Sequence, residues 1–131
     1  MKLFRMALEN QLIDAELSDE TEEHICFDLD GTVAEYTEWK GIEHIGSPIP
    51  KTIQMIKAFL AKGVKVKILT ARMATKDTEE RAKVKQLIAD WTQEHIGQAL
   101  EATCIKDRYM VRLYDDRARQ VIENEGKVVT E

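Results

Sequence analysis

The stretch Ile25-Cys26-Phe27-Asp28-Leu29-Asp30-Gly31-Thr32 decides how this chain is read, because an uncharged apolar run delivers two carboxylates, two positions apart, into a glycine turn. A run without charge that stops abruptly at an acid has the pattern of a strand buried on both faces. Two ionised carboxylates this close repel, so a cation, a shared proton or a polar loop must compensate them. That requirement points to a metal. Gly31 gives the backbone freedom for a sharp exit, and the Thr32 hydroxyl can bond locally to hold the loop. Taken alone, Asp30-Gly31-Thr32 also reads as an ordinary Asp-Gly turn.

Outward from this strand the pattern alternates. Residues 33–49 have no sustained helical period and are punctuated by Gly41, Gly46 and Pro48, which predicts a flap-like loop beside the acids. It carries Tyr36, Trp39, Lys40 and His44, a set that either packs the loop down or grips a substrate. From Pro50, the positions Ile53, Met55, Ile56, Phe59 and Leu60 fall mostly on one helical face, in a helix that ends at Gly63. Residues 64–69 read as a strand ending in Thr70-Ala71-Arg72. Asp77 and Glu80 open a second helix whose Val84, Leu87, Ile88 and Trp91 keep the i, i+3, i+4, i+7 stripe up to Gly97. Residues 102–105 and 110–114 are further strands, ending at Lys106 and at Asp115-Asp116. A short helix at 118–124 and a strand at 127–129 are expected to close the domain.

Strand–helix–strand order implies right-handed parallel crossovers. The fold class expected is therefore α/β, a three-layer Rossmann-like fold with a mainly parallel sheet flanked by helices and no cap domain. The 131 residues fit one domain, with 1–23 a segment whose apolar spacing suits neither helix nor strand. Net charge is −5, which argues against non-specific nucleic-acid binding. Cys26 and Cys104 lack ligand spacing and read as buried free thiols, in keeping with a reducing cytoplasm. No stretch reaches membrane-spanning length, and no membrane partner is expected.

In parallel sheets ligands bind at the carboxyl ends of the strands. Here those ends carry Asp28, Thr70, Lys106, then Asp115 and Asp116. Asp-x-Asp-Gly-Thr, a hydroxyl, a lysine and an acidic pair, in that order over residues 24–119, resemble the four motifs of the haloacid dehalogenase-like superfamily, in its small capless form. The resemblance implies a magnesium-dependent phosphomonoesterase. Asp28 would be the nucleophile that becomes an aspartyl phosphate, and Asp30 the general acid and base, with a pKa above that of Asp28. Thr70 would donate to a phosphoryl oxygen, and Lys106 would neutralise charge. Mg2+ would be held by Asp28, the Asp30 backbone carbonyl and the pair Asp115 and Asp116, of which Asp116 corresponds better to the ligand.

Other readings stand beside these. Lys106 also reads as part of an exposed charged turn, and Arg72 and Arg117 as braces for carboxylates or as substrate contacts. A phosphate-accepting receiver or a catalytically silent binding protein on the same fold is the alternative class, although a receiver lacks the acid at Asp30. Residues 33–49 number 17, too few for an independent lid, so an open site is expected. An open site admits a small-molecule phosphomonoester, a nucleotide or a nucleic-acid end, with Tyr36, Trp39, Lys40 and Arg72 as candidate contacts. A neighbouring subunit in a homo-oligomer is one means of excluding water.

Overall fold

The computed structural model describes residues 22–129; the open question of the N-terminal segment, and the acidic run as far as Thr21, lie outside them. The elements are β1 (His24–Phe27), α1 (Pro50–Ala61), β2 (Val66–Leu69), a 3-10 turn (Ala71–Met73), α2 (Thr78–Ile96), β3 (Ala102–Thr103) and β4 (Met110–Tyr114). All strand pairs are parallel and the sheet order is β3-β2-β1-β4. This is the α/β Rossmann-like architecture expected, but among the described residues the two helices form a single layer, not the two that a three-layer fold requires.

β1 is buried along its whole length, as its uncharged sequence requires. α1 starts at Pro50, whose missing N–H costs nothing in a first turn. α2 is capped by Asp77, whose Oδ1 accepts from the backbone N–H of Glu79 at 3.0 Å and of Glu80 at 3.1 Å. Two successive right-handed crossovers in one direction, β1 to β2 to β3, place both helices on the same face. Ile53 and Ile56 of α1 and Val84 and Ile88 of α2 accordingly share one core with Ile25, Phe27, Val66 and Ile68.

From the β3 edge the chain must return past two strands to reach β4, and residues 104–109 make that crossing. They run over the face opposite the helices. There His24, fully buried, has its Nε2 3.9 Å from Asp107 Oδ2. Lys67, in register with Cys26, lies 3.6 Å from the Glu101 carboxylate. Burial pushes the Cys26 thiol up to about 12, Lys67 opposing and Asp107 and Glu101 adding to the shift. Cys26 and Cys104 are free thiols. Among the described residues helices cover one face only, and no helix is long and apolar enough to cross a membrane.

Three expected elements differ, the strand at 127–129 being reduced to an isolated bridge at Val128. Residues 118–124 do not form a helix: Val121 bridges Val128 antiparallel, and Asn124 takes a φ of 66° in the turn between them. A left-handed residue cannot continue a helix, and the two valines suit a paired extended backbone better. β3 also stops early, at Thr103, where the Ile105 N–H bonds the Thr103 hydroxyl at 3.0 Å and turns the chain out of the sheet.

What aligns the site is an aromatic stack one residue before the acids. Phe27 and Tyr114 lie face to face with centroids 4.5 Å apart, and Phe59 of α1 tilts against both. The Asp28 N–H donates to the Tyr114 carbonyl at 2.9 Å, so β1 and β4 deliver Asp28 and Asp115 side by side. The strand order reverses across β1, which opens the crevice at their carboxyl ends.

Candidate active site

Between Asp28 and Asp30, Leu29 is fully buried and its carbonyl accepts from the N–H of Thr32, Val33 and Ala34. This threefold anchor folds the exit from β1 into a tight loop. Gly31 sits there at φ 91°, and a Cβ on it would lie 2.7 Å from Asp116 Oδ2. Only glycine satisfies both the backbone and the approach of the acid.

Oxygens of Asp28, Asp115 and Asp116 all lie within 4.8 Å of one another. Asp28 is pushed up from 3.8 to about 7, by burial first, then by the charge of Asp115 and by the hydrogen bond and charge of Asp116. Burial acts upward on Asp116 too, but hydrogen bonds from Thr32 and Asp28, a backbone N–H and the Arg117 charge hold it below its ordinary value. Of the two hydrogen-bonded acids, Asp28 is therefore the one whose carboxyl is pushed up and Asp116 the one held down. Three hard carboxylate oxygens brought this close are a donor set able to hold a metal cation.

Thr70, at the end of β2, is buried, and its hydroxyl accepts from the Arg72 N–H at 3.1 Å. That bond caps the 3-10 turn and leaves the hydroxyl proton for a ligand oxygen. Arg72 is the most committed side chain of the site. Nε donates to Asp30 Oδ2 at 2.8 Å, and Nη2 to Asp30 Oδ1 at 2.9 Å. Nη2 also donates to the His44 carbonyl at 2.9 Å, and Nη1 to the Ile42 carbonyl at 3.1 Å. Four of its five N–H donors are thereby used. The guanidinium also stacks on Trp39, 4.9 Å from the ring centroid.

Residues 33–49 form the expected flap. Its base is a short pairing, with Ala34 bridged to Pro48 and the Glu35 N–H bonded to the Ser47 carbonyl at 2.8 Å. Arg72 pins its middle, and the ion pair of Glu43 with Lys83 ties it to α2.

The candidate residues fall into three groups. Asp28, Asp30, Thr70, Arg72, Asp115 and Asp116 line one cavity of about 750 Å3, and Tyr36 and Trp39 stand in its flap wall. Lys40 lines a second cavity, of about 240 Å3, which shares Asp30, Tyr36 and Arg72 with the first. Lys106 lines neither. It is exposed on the connector, between Cys104, which lines the main cavity, and Asp107, which lies 3.9 Å from His24, the first residue of β1. Residues given no part in the site from the sequence also line the main cavity: Cys104, half-buried rather than buried, Glu80 from the first turn of α2, and Thr75. An amphipathic stripe carries no signal for a residue at a helix mouth, so Glu80 could not be found that way.

No family model matches the chain, and no curated protein matches it. A solved structure of a conserved protein coded by a locus from Bacteroides thetaiotaomicron is similar with a TM-score of 0.48 and 18% sequence identity, over 74% of this chain and 78% of that one.

Proposed function

We propose that the protein is a magnesium-dependent phosphomonoesterase of the haloacid dehalogenase-like type, acting through an aspartyl phosphate. The observation that carries this is the convergence of Asp28, Asp115 and Asp116, within 4.8 Å, in one cavity with the Thr70 hydroxyl. Asp28, Asp115 and Asp116 would hold Mg2+, which supplies positive charge to ionise Asp28 and to neutralise the phosphoryl group.

An Asp28 oxygen then attacks phosphorus as the bond to the leaving oxygen breaks, giving the aspartyl phosphate and an alcohol. Asp30 gives the leaving oxygen its proton and later takes one from the water that hydrolyses the intermediate. Since both Asp30 oxygens accept from Arg72, the acid step requires one of those bonds to be released and the freed oxygen to take up a proton from solvent before giving it to the leaving oxygen, which leaves Asp30 ionised for the base step. Thr70 donates its hydroxyl proton to a non-transferring phosphoryl oxygen. Among the described residues, the cations in the main cavity wall are Arg72 and Arg117, and Arg117 takes the charge-neutralising place that the resemblance gives to Lys106. The two free thiols accord with a reducing compartment such as the cytoplasm.

A panel of phosphomonoesters assayed with and without magnesium tests this function, together with Asp28→Asn. Turnover that needs the metal and disappears in the variant is expected. Turnover that survives both chelation and Asp28→Asn overturns the assignment.

A further inference from the structure

We infer that the Trp39 indole is a stacking subsite for the base of a nucleotide whose phosphate sits at Asp28, an inference that rests on the phosphomonoesterase function for its phosphate end. A flap tryptophan serving only to pack the loop would bury its ring, because burial of so large an apolar surface is its main contribution to stability. Trp39 instead stays 52% exposed in the wall of the cavity that holds the acids. It is nevertheless fixed in place. The Arg72 guanidinium covers one face, and that plate is itself held by four hydrogen bonds, two to Asp30 and two to flap carbonyls. A ring backed by a fixed guanidinium and still more than half exposed in the cavity wall offers a planar ligand stacking area at little further entropic cost.

The spacing suits one molecule. A single guanidinium separates the indole from the Asp30 carboxylate, and Asp30 is two residues from Asp28. Asp28, Thr70 and Trp39 line one cavity of about 750 Å3, within the usual range for small-molecule sites, so a ligand with its phosphate at Asp28 and Thr70 has its far end in a space that Trp39 borders. Tyr36, 40% exposed, stands in the same wall as a second aromatic contact. Arg72 keeps one free N–H, too few to clamp a phosphate without giving up Asp30, so its part in binding is to back the ring. Recognition of the base by stacking does not discriminate among bases, since each has a π face.

Calorimetric titration of the full-length Asp28→Asn protein in magnesium buffer, with adenosine monophosphate and with ribose 5-phosphate, isolates the contribution of the base. Adenosine monophosphate should bind at least about tenfold more tightly, Trp39→Leu should abolish the difference, and Trp39→Phe should keep most of it. Equal affinity of the two ligands, no binding of adenosine monophosphate, or an equal loss on both in Trp39→Leu overturns the subsite. Turnover by the wild-type protein separates the two claims. Hydrolysis without preference for the nucleotide leaves the phosphatase standing and removes the subsite, whereas Trp39-dependent binding without hydrolysis does the reverse. A 5′-phosphorylated dinucleotide distinguishes the sources: binding above adenosine monophosphate assigns the subsite to a strand end, and binding below it to a free nucleotide.

Discussion

Thr32 and Asp116, 84 residues apart, hold each other through a closed pair of hydrogen bonds. The Thr32 hydroxyl donates to Asp116 Oδ1 at 2.9 Å and accepts from the Asp116 N–H at 3.0 Å. The carboxylate of Asp116 is exposed and would otherwise sample several rotamers. One hydroxyl therefore locks the turn after β1 to the turn after β4, and fixes the third oxygen of the acidic trio.

Thr32→Val keeps the shape of the side chain and removes both bonds. At an exposed position water replaces them in part, so the stability loss should be about 1 kcal/mol by urea unfolding. Magnesium affinity, read by calorimetry, should fall several-fold because Asp116 is no longer oriented, and Thr32→Ser should restore it. Unchanged affinity in Thr32→Val would remove Asp116 from the metal site.

Gly31→Ala tests the same junction from the other side. The new methyl meets Asp116 Oδ2 at 2.7 Å, and the backbone at φ 91° disfavours any L side chain. The carboxylate can swing away, so the backbone strain of about 1–2 kcal/mol should dominate the loss of stability. Displacing Asp116 should also weaken magnesium binding, whereas Gly63→Ala, with open space around it at φ 81°, should cost stability alone.

The raised Asp28 makes stability depend on pH in a direction opposite to that of a salt-bridged carboxylate. Its folded value is about 7 against an ordinary 3.8, so between these the folded state keeps a proton that the unfolded chain has lost. The contribution is complete below about pH 4 and is lost as pH rises through about 7. Discounted for solvent at this partly exposed group, its size is on the order of 1–2 kcal/mol. Urea unfolding in chelator should show wild type losing stability relative to Asp28→Asn between pH 4.5 and 8, and magnesium should stabilise wild type most at the alkaline end. A difference that grows with pH would contradict the geometry of the trio.

Much of this arrangement is legible in the sequence because its signals are local. An uncharged run ending at Asp28, another ending at Asp115, and the stripe through Val84, Leu87 and Ile88 each specify an element without reference to the rest. The grip of Arg72 is legible only in part: bracing a carboxylate is one of the two roles the sequence offers it, but two of its four acceptors are backbone carbonyls of Ile42 and His44, and any residue there would provide them. Asp30 differs for the same reason: its expected role in proton transfer rests on a motif, but the partner that holds it comes from the end of β2. Residues 118–124 mislead because a short apolar spacing does not reveal that Asn124 will turn.

Lys106 is the residue for which motif order and geometry give different expectations. By order it follows a strand and belongs at the phosphate. Yet β3 ends at Thr103, and the connector that follows has only six residues to cross about 14 Å of sheet, three strand spacings, to β4. Cys104 still lines the main cavity, but Asp107 is already against buried His24 at the amino end of β1. Lys106→Met should therefore change turnover of a phosphomonoester by no more than about threefold. Arg117→Met should reduce it by at least tenfold, the range for losing one charged contact to a transferring phosphoryl group. Both positions are exposed, so melting temperatures should stay near wild type and the kinetic comparison is clean. The opposite ranking, a large loss in Lys106→Met and none in Arg117→Met, would mean that the connector moves to bring the lysine into the site during turnover.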